Sequence, residues 1–207
     1  MESSLSKIFS GDANVMGGSL VLNPRGRHYA ALKAHMAATY EDSYFDEDAI
    51  YMQHNSRDFR RRIELIDANA LAVCEFLLSR SLAASPSPSS APHPVAVKQV
   101  YNPRWETAEH YGRCRVRDPA TGTPAGGYGG LLSLTFVLTK ASKAFFDALS
   151  FMKGRSLGTN FTLACPYTIL AHYAELDWAV GWGVEEGLVP VSVGMEERGM
   201  LLKGAEG

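Results

Sequence analysis

The sequence predicts a chain of mixed helices and strands, α/β or α+β, and three observations carry that reading. A long stretch, 56–81, holds apolar residues at helical spacing. The run 131–138 (LLSLTFVL) has the apolar, β-branched character of a buried strand. From residue 95 onward, strand-like and helix-like segments alternate. With 207 residues, 46% of them hydrophobic, the chain is long enough to bury a core. At roughly 150 residues per domain it falls between one domain and two.

The elements follow in order. Residues 8–23 place Gly and Asn turns around a short run, Ser19 to Leu22, closed by Asn23-Pro24: loop, strand, turn. Residues 28–40 read as a helix, with Tyr29, Leu32 and Met36 at steps of three and four. The longer helix over 56–81 places Phe59, Ile63, Ile66, Ala70, Val73, Phe76 and Leu77 along one face. Ser56 is its expected cap, and Arg60, Arg61 and Arg62 are expected mostly on the wet side. Residues 83–94 hold four prolines and four serines in twelve positions, which is the composition of an exposed linker. After it come a strand from Val95 to Tyr101, a loop with Trp105, and a Gly/Pro-rich turn over 118–130. The strand 131–138 is followed by helices at 140–151 and 165–182. The last strand, 188–193, contains Pro190, which demotes it to an edge or a bulge.

Charge and composition narrow the function classes. Twenty Lys and Arg against 22 Asp and Glu leave a net charge of 20 − 22 = −2, so the basic excess that drives binding to phosphate backbones is absent. Cys74, Cys114 and Cys165 are widely spaced with no CxxC, as expected of reduced thiols. No apolar run reaches 18 residues, and the start of the chain lacks a basic-then-apolar leader, so a soluble, cytoplasmic protein is expected. The six histidines show no metal-ligand spacing. Gly126-Gly127-Tyr128-Gly129-Gly130 precedes a strand instead of opening a helix after one, which makes it a turn and not a nucleotide loop.

One segment carries chemistry. Ser4-Leu5-Ser6-Lys7-Ile8-Phe9, running to Asp12 and Gly17-Gly18, resembles the lysine segment of the pyridoxal-phosphate enzymes of cysteine and methionine metabolism. The resemblance continues through Ser19 to Tyr51, the helix up to Ala70, Val97 to Pro103, and Tyr128 to Ser133. It extends over Ser156 to Leu163 (SLGTNFTL), Gly187 to Val189 and Ser192 to Glu196. These stretches are similar to the C-terminal half of fungal cystathionine γ-synthase. The resemblance implies a fold-type-I pyridoxal-phosphate transferase, with residues 1–64 as the tail of the large cofactor domain and 65–207 as the small α/β domain. It implies Lys7 as the Schiff-base lysine and proton shuttle, Ser4 and Ser6 as phosphate ligands, and Ser156 as a contact near the substrate α-carboxylate. The cofactor is then pyridoxal 5'-phosphate. The reaction is γ-replacement on an O-acylated homoserine by a thiol such as cysteine, a transsulfuration step of methionine biosynthesis. The partners are small amino acids, with assembly as a homo-oligomer or with a full-length relative, and neither membrane nor nucleic acid is expected.

Two departures set limits on that implication. The family's last strand carries an arginine that forks onto the substrate carboxylate; here the position is Pro190, and Arg155 beside Ser156 is either a candidate substitute or a solvated surface charge. The family's pyridinium-pairing Asp, ring-stacking aromatic and phosphate-binding glycine loop all precede the lysine, and six residues precede Lys7 here. The helix after Glu196-Glu197 also looks short. The expectation is therefore a truncated enzyme chain; the alternative is a non-catalytic remnant that packs against a full-length relative.

Overall fold

The structure is a computed structural model that describes residues 1–84 and 95–206, so most of the expected linker, 85–94, lies outside the described residues. The chain divides into two compact units, Met1–Phe59 and Arg60–Gly207, where the sequence was divided at 64/65.

In the first unit, β1 (Glu2–Ser4) pairs antiparallel with β2 (Gly18–Leu20), Ser4 opposite Gly18. Asn23 then turns the chain: its Oδ1 accepts the Arg25 N–H at 3.0 Å and its carbonyl the Gly26 N–H at 2.9 Å. Helix α1 (Tyr29–Thr39) follows as expected, yet buries none of its residues. Helix α2 (Asp46–Asn55) has no counterpart among the elements the sequence predicts. It carries no apolar stripe; what favours it is the acidic first turn of Asp46, Glu47 and Asp48 against the positive helix end. Ser56, the expected N-cap of the next helix, closes this one instead, with its N–H donating to the Met52 carbonyl and its Oγ to the Gln53 carbonyl.

The second unit is built on α3 (Phe59–Leu78). Ile66, Ala70, Val73 and Leu77 lie on its buried face, as the spacing predicts; Cys74 joins them, while Phe59, Ile63 and Phe76 are only partly buried. Arg62 and Asn69 lie on that same face, so Arg62 is buried (3% exposed) while Arg60 and Arg61 are on the wet side. After it come β3 (Val97–Tyr101), α4 (Pro103–Glu106), α5 (Ala108–Cys114), β4 (Leu131–Phe136) and α6 (Thr139–Ala148). The chain ends with β5 (Met152–Lys153), β6 (Leu163–Ala164), α7 (Tyr167–His172), α8 (Leu176–Gly181), β7 (Val189–Ser192) and α9 (Arg198–Gly204). The loop expected at Trp105 is in fact helical: Asn102 Oδ1 caps α4 by accepting the Arg104 N–H, and Pro103 supplies the first helical φ. The single helix expected over 165–182 is broken by a 3-10 turn at Tyr173–Glu175. Leu170 and Tyr173, which set its apparent period, are exposed, so no buried stripe holds one continuous helix.

The five strands form a mixed sheet in the order β3-β4-β7-β6-β5, antiparallel except for β5 with β6. Pro190 therefore sits in the central strand, not at an edge. Its pairing explains why it is tolerated. Val193 donates to the Gly130 carbonyl, which makes Ser133↔Pro190 a non-hydrogen-bonded pair toward β4, so that ladder loses nothing. On the other side the Pro190 carbonyl still accepts the Cys165 N–H at 3.1 Å, and Pro166 follows at once as the pairing of β6 ends. Residues from α3, β3, β4, β7 and α9 (Val73, Leu77, Val100, Leu134, Val191 and Leu201 among them) meet in one core against one face of the sheet.

Candidate functional site

Lys7 stands on the turn that joins β1 to β2. That turn is fastened from both sides: Leu5 and Ser6 donate backbone N–H groups to the Gly17 carbonyl at 2.9 and 3.3 Å, and Gly11 donates to the Lys7 carbonyl at 2.6 Å. The Ser6 hydroxyl accepts the Gly17 N–H at 2.8 Å and donates back to the Gly17 carbonyl at 3.3 Å. Gly11, at φ 85°, supplies the left-handed residue the reversal needs. From α2, Asn55 Nδ2 donates to Ser10 Oγ and Asn14 Oδ1, both at 2.8 Å, and ties the far side of the turn to the helix. The backbone of the turn is thus fixed while the side chains of Lys7 and Ser4 are exposed. Such an arrangement presents a primary amine at a reproducible place, with a hydroxyl three residues before it.

Ser156 and Arg155 lie in the second unit, exposed on the loop 154–162 between β5 and β6. Ser192 of β7 accepts the Gly158 N–H on its Oγ at 2.9 Å, and buried Arg62 donates from Nη1 to Asn160 Oδ1 at 2.7 Å. Thr162 gives its N–H and its hydroxyl to the Glu196 carboxylate, at 2.5 and 2.8 Å, and accepts the Gly194 N–H. Asn69 Nδ2 closes the set by donating to the Gly194 and Glu196 carbonyls at 3.1 and 3.0 Å. Gly194 is forced at this junction, because a Cβ there would lie 2.5 Å from the Asn160 oxygen. Arg62, Asn69, Thr162 and Glu196, the anchors of this loop, are not among the residues the sequence singles out. Arg62 and Asn69 had a signal, since they fall on the apolar stripe of α3 at steps of four and three from Ile66.

The glycine-rich turn is clasped by a carboxylate. Asp67 accepts the Gly127 N–H on Oδ2 at 2.7 Å and the Gly129 N–H on Oδ1 at 2.9 Å, and Gly130 packs against Ile66 where a Cβ would not fit. The Gly127 and Gly129 N–H groups are therefore spent within the fold. Among the described residues, no group of three or more His, Cys, Asp and Glu side chains is placed to hold a metal ion, and no helix is long and apolar enough to cross a membrane.

No family model matches the chain. A cystathionine γ-synthase-like enzyme of Amanita muscaria is 56% identical to it over 211 residues, covering 98% of this chain and 32% of the relative. The cystathionine γ-synthase of Neurospora crassa is 47% identical, over 97% of this chain and 29% of its own length. The chain belongs to the cystathionine γ-synthase-like family. Among solved structures, a cystathionine γ-synthase from Xanthomonas oryzae pv. oryzae, in complex with aminoacrylate and cysteine, superposes with a TM-score of 0.71 at 24% identity, covering 99% of this chain and 48% of that one. The fold of this cystathionine γ-synthase-like chain is therefore that of part of a fold-type-I transferase, as the sequence implied. It spans about a third of the length of the curated relatives it matches. Members of the family use pyridoxal 5'-phosphate.

Proposed function

We propose that the chain is the C-terminal portion of a pyridoxal-phosphate-dependent transsulfuration enzyme, which replaces the γ-substituent of an O-acylhomoserine with a thiol such as cysteine. The observation that carries this reading is the exposed Lys7 on its doubly fastened turn. The donor set fits the cofactor: Lys7 offers the amine for the aldehyde, and Ser4 an exposed hydroxyl for the phosphate. The Ser6 hydroxyl bond to the Gly17 carbonyl is long at 3.3 Å, against the usual 2.7–2.8 Å. Its hydrogen can turn to a phosphate oxygen while the 2.8 Å bond from the Gly17 N–H holds the turn.

When bound, the group supplies an electron sink at the substrate α-carbon. The remaining work falls to side chains. Lys7 Nζ moves the proton at that carbon, Ser4 and Ser6 orient the phosphate, and Ser156 donates to the substrate α-carboxylate. The reading takes small amino acids as substrates and assembly as a homo-oligomer or with a full-length relative, in a soluble, cytoplasmic setting and in methionine biosynthesis.

Pro190 favours a second reading, a non-catalytic chain that packs against a full-length relative. A lost charged bidentate contact to a carboxylate costs about 1.5–3 kcal/mol, one to two decades in substrate capture. Borohydride reduction of the full chain incubated with pyridoxal 5'-phosphate, followed by peptide mass spectrometry, tests the cofactor role. The expected result is one phosphopyridoxyl group on Lys7, absent in Lys7→Ala. Labelling spread evenly over surface lysines would overturn it.

A further inference from the structure

Beside the clasped glycine turn, between the end of β3 and the start of β4, the second unit holds a cleft of about 460 Å³, within the range of small-molecule sites. Three tyrosines line it, Tyr101, Tyr111 and Tyr128, together with the Glu106 carboxylate and Ser133. No lysine, arginine or histidine is among its lining residues.

The aromatic walls are set in place. Tyr111 stacks on Tyr128 with ring centroids 5.5 Å apart, and Asp67 fixes the backbone on both sides of Tyr128. Arg115 lies 4.6 Å from the centre of the Tyr128 ring and donates to its hydroxyl at 3.2 Å, so one ring of this cluster already accepts a cation. Burial, and next the Asp67 carboxylate, push the Tyr111 phenol above its ordinary value, which keeps that ring neutral. Among the described residues, Glu106 accepts a hydrogen bond at Oε1, from Gln99 Nε2 at 2.9 Å.

A carboxylate beside several aromatic faces is the chemistry that recognises an organic ammonium ion: the ring quadrupoles attract the diffuse charge, and the carboxylate neutralises it. The same walls attract an anion poorly, since no lysine, arginine or histidine lines the cleft and the Gly129 N–H is already given to the Asp67 carboxylate. We propose that this cleft is a binding site for a small alkylated ammonium cation, with Tyr101 and Tyr111 as the aromatic faces and Glu106 as the counter-charge.

Saturation-transfer NMR on the full chain, with tetramethylammonium chloride as probe, tests it. The neutral, similarly shaped tert-butanol and sodium acetate serve as comparisons. The expected result is saturable transfer to tetramethylammonium that exceeds transfer to either comparison. Glu106→Gln, which keeps the acceptor for Gln99, is expected to weaken binding about fivefold. Tyr111→Leu is expected to abolish it, with circular dichroism showing each variant folded. Equal transfer to tert-butanol makes the cleft merely apolar and overturns the proposal. So does binding that survives unchanged in both variants. The site depends neither on Lys7 nor on the cofactor, so its failure leaves the transsulfuration reading standing.

Discussion

At the scale of single residues, burial decides which thiols react. Cys74 is fully buried; burial first, and then the neighbouring Glu75 carboxylate, push its pKa up to about 12 from an ordinary 9.0. Burial also raises Cys165, whereas Cys114 is exposed. At pH 8, a chromogenic disulfide reagent is expected to titrate one thiol, Cys114, in the native chain and all three in denaturant. Rapid native labelling of Cys74 would contradict the burial. The sign for stability follows. A group whose acid form is favoured by folding contributes fully below its unfolded pKa, so stability is expected to hold up to about pH 9. It is then lost as pH rises toward 12. Urea midpoints falling over that window, with a shallower fall in Cys74→Ala, are the measurement.

At the scale of elements, the junction of β7 with the loop 154–162 makes a sharper demand than any propensity. A methyl at position 194 would lie 2.5 Å from backbone atoms of Asn160 and Phe161, which no rotamer change relieves. Gly194→Ala is expected to lower stability by about 1–3 kcal/mol. Gly112, inside α5 with nothing near its missing Cβ, is the contrast: Gly112→Ala is expected to raise stability by about 0.5–1 kcal/mol. Chemical denaturation of both variants checks the pair, and equal effects would show that packing at Gly194 does not matter. The same contrast explains what could be read in advance. The buried stripe of α3 and the strand at 131–136 were legible because burial writes its period into the sequence. α2 was not, because charge at its N-terminus, not an apolar face, holds it. Pro190 in a central strand was not legible either, since only the register shows that its nitrogen faces the place where β6 stops pairing. Lys7, Ser4, Ser6 and Ser156 stand out in the sequence through the family resemblance alone. Their anchors at Asn55, Arg62, Asn69 and Glu196 reach partners 34 to 127 residues away; the stripe of α3 marks Arg62 and Asn69 as buried, but no local pattern encodes the partners.

At the scale of the whole chain, the two units differ in what holds them. Of the buried apolar side chains among the described residues, Val15 and Met52 belong to Met1–Phe59 and all the others to Arg60–Gly207. The first unit exposes Leu32, Phe45, Ile50 and Tyr51, and α1 buries nothing over its 11 residues. A helix of that length without a packed face is marginal in water. Its opening free energy is expected to lie near zero, while β4 and β7 open only with the core. Hydrogen exchange followed by mass spectrometry on the full chain reads this directly. Amides of α1 are expected to exchange at the earliest time points, those of β4 and β7 last, and the Lys7 turn in between because Asn55 ties it to α2. Protection of α1 equal to that of β4 would mean that its apolar side chains are covered in solution, for example by a second chain. Size measurement at two concentrations would then separate self-association from a stable monomer.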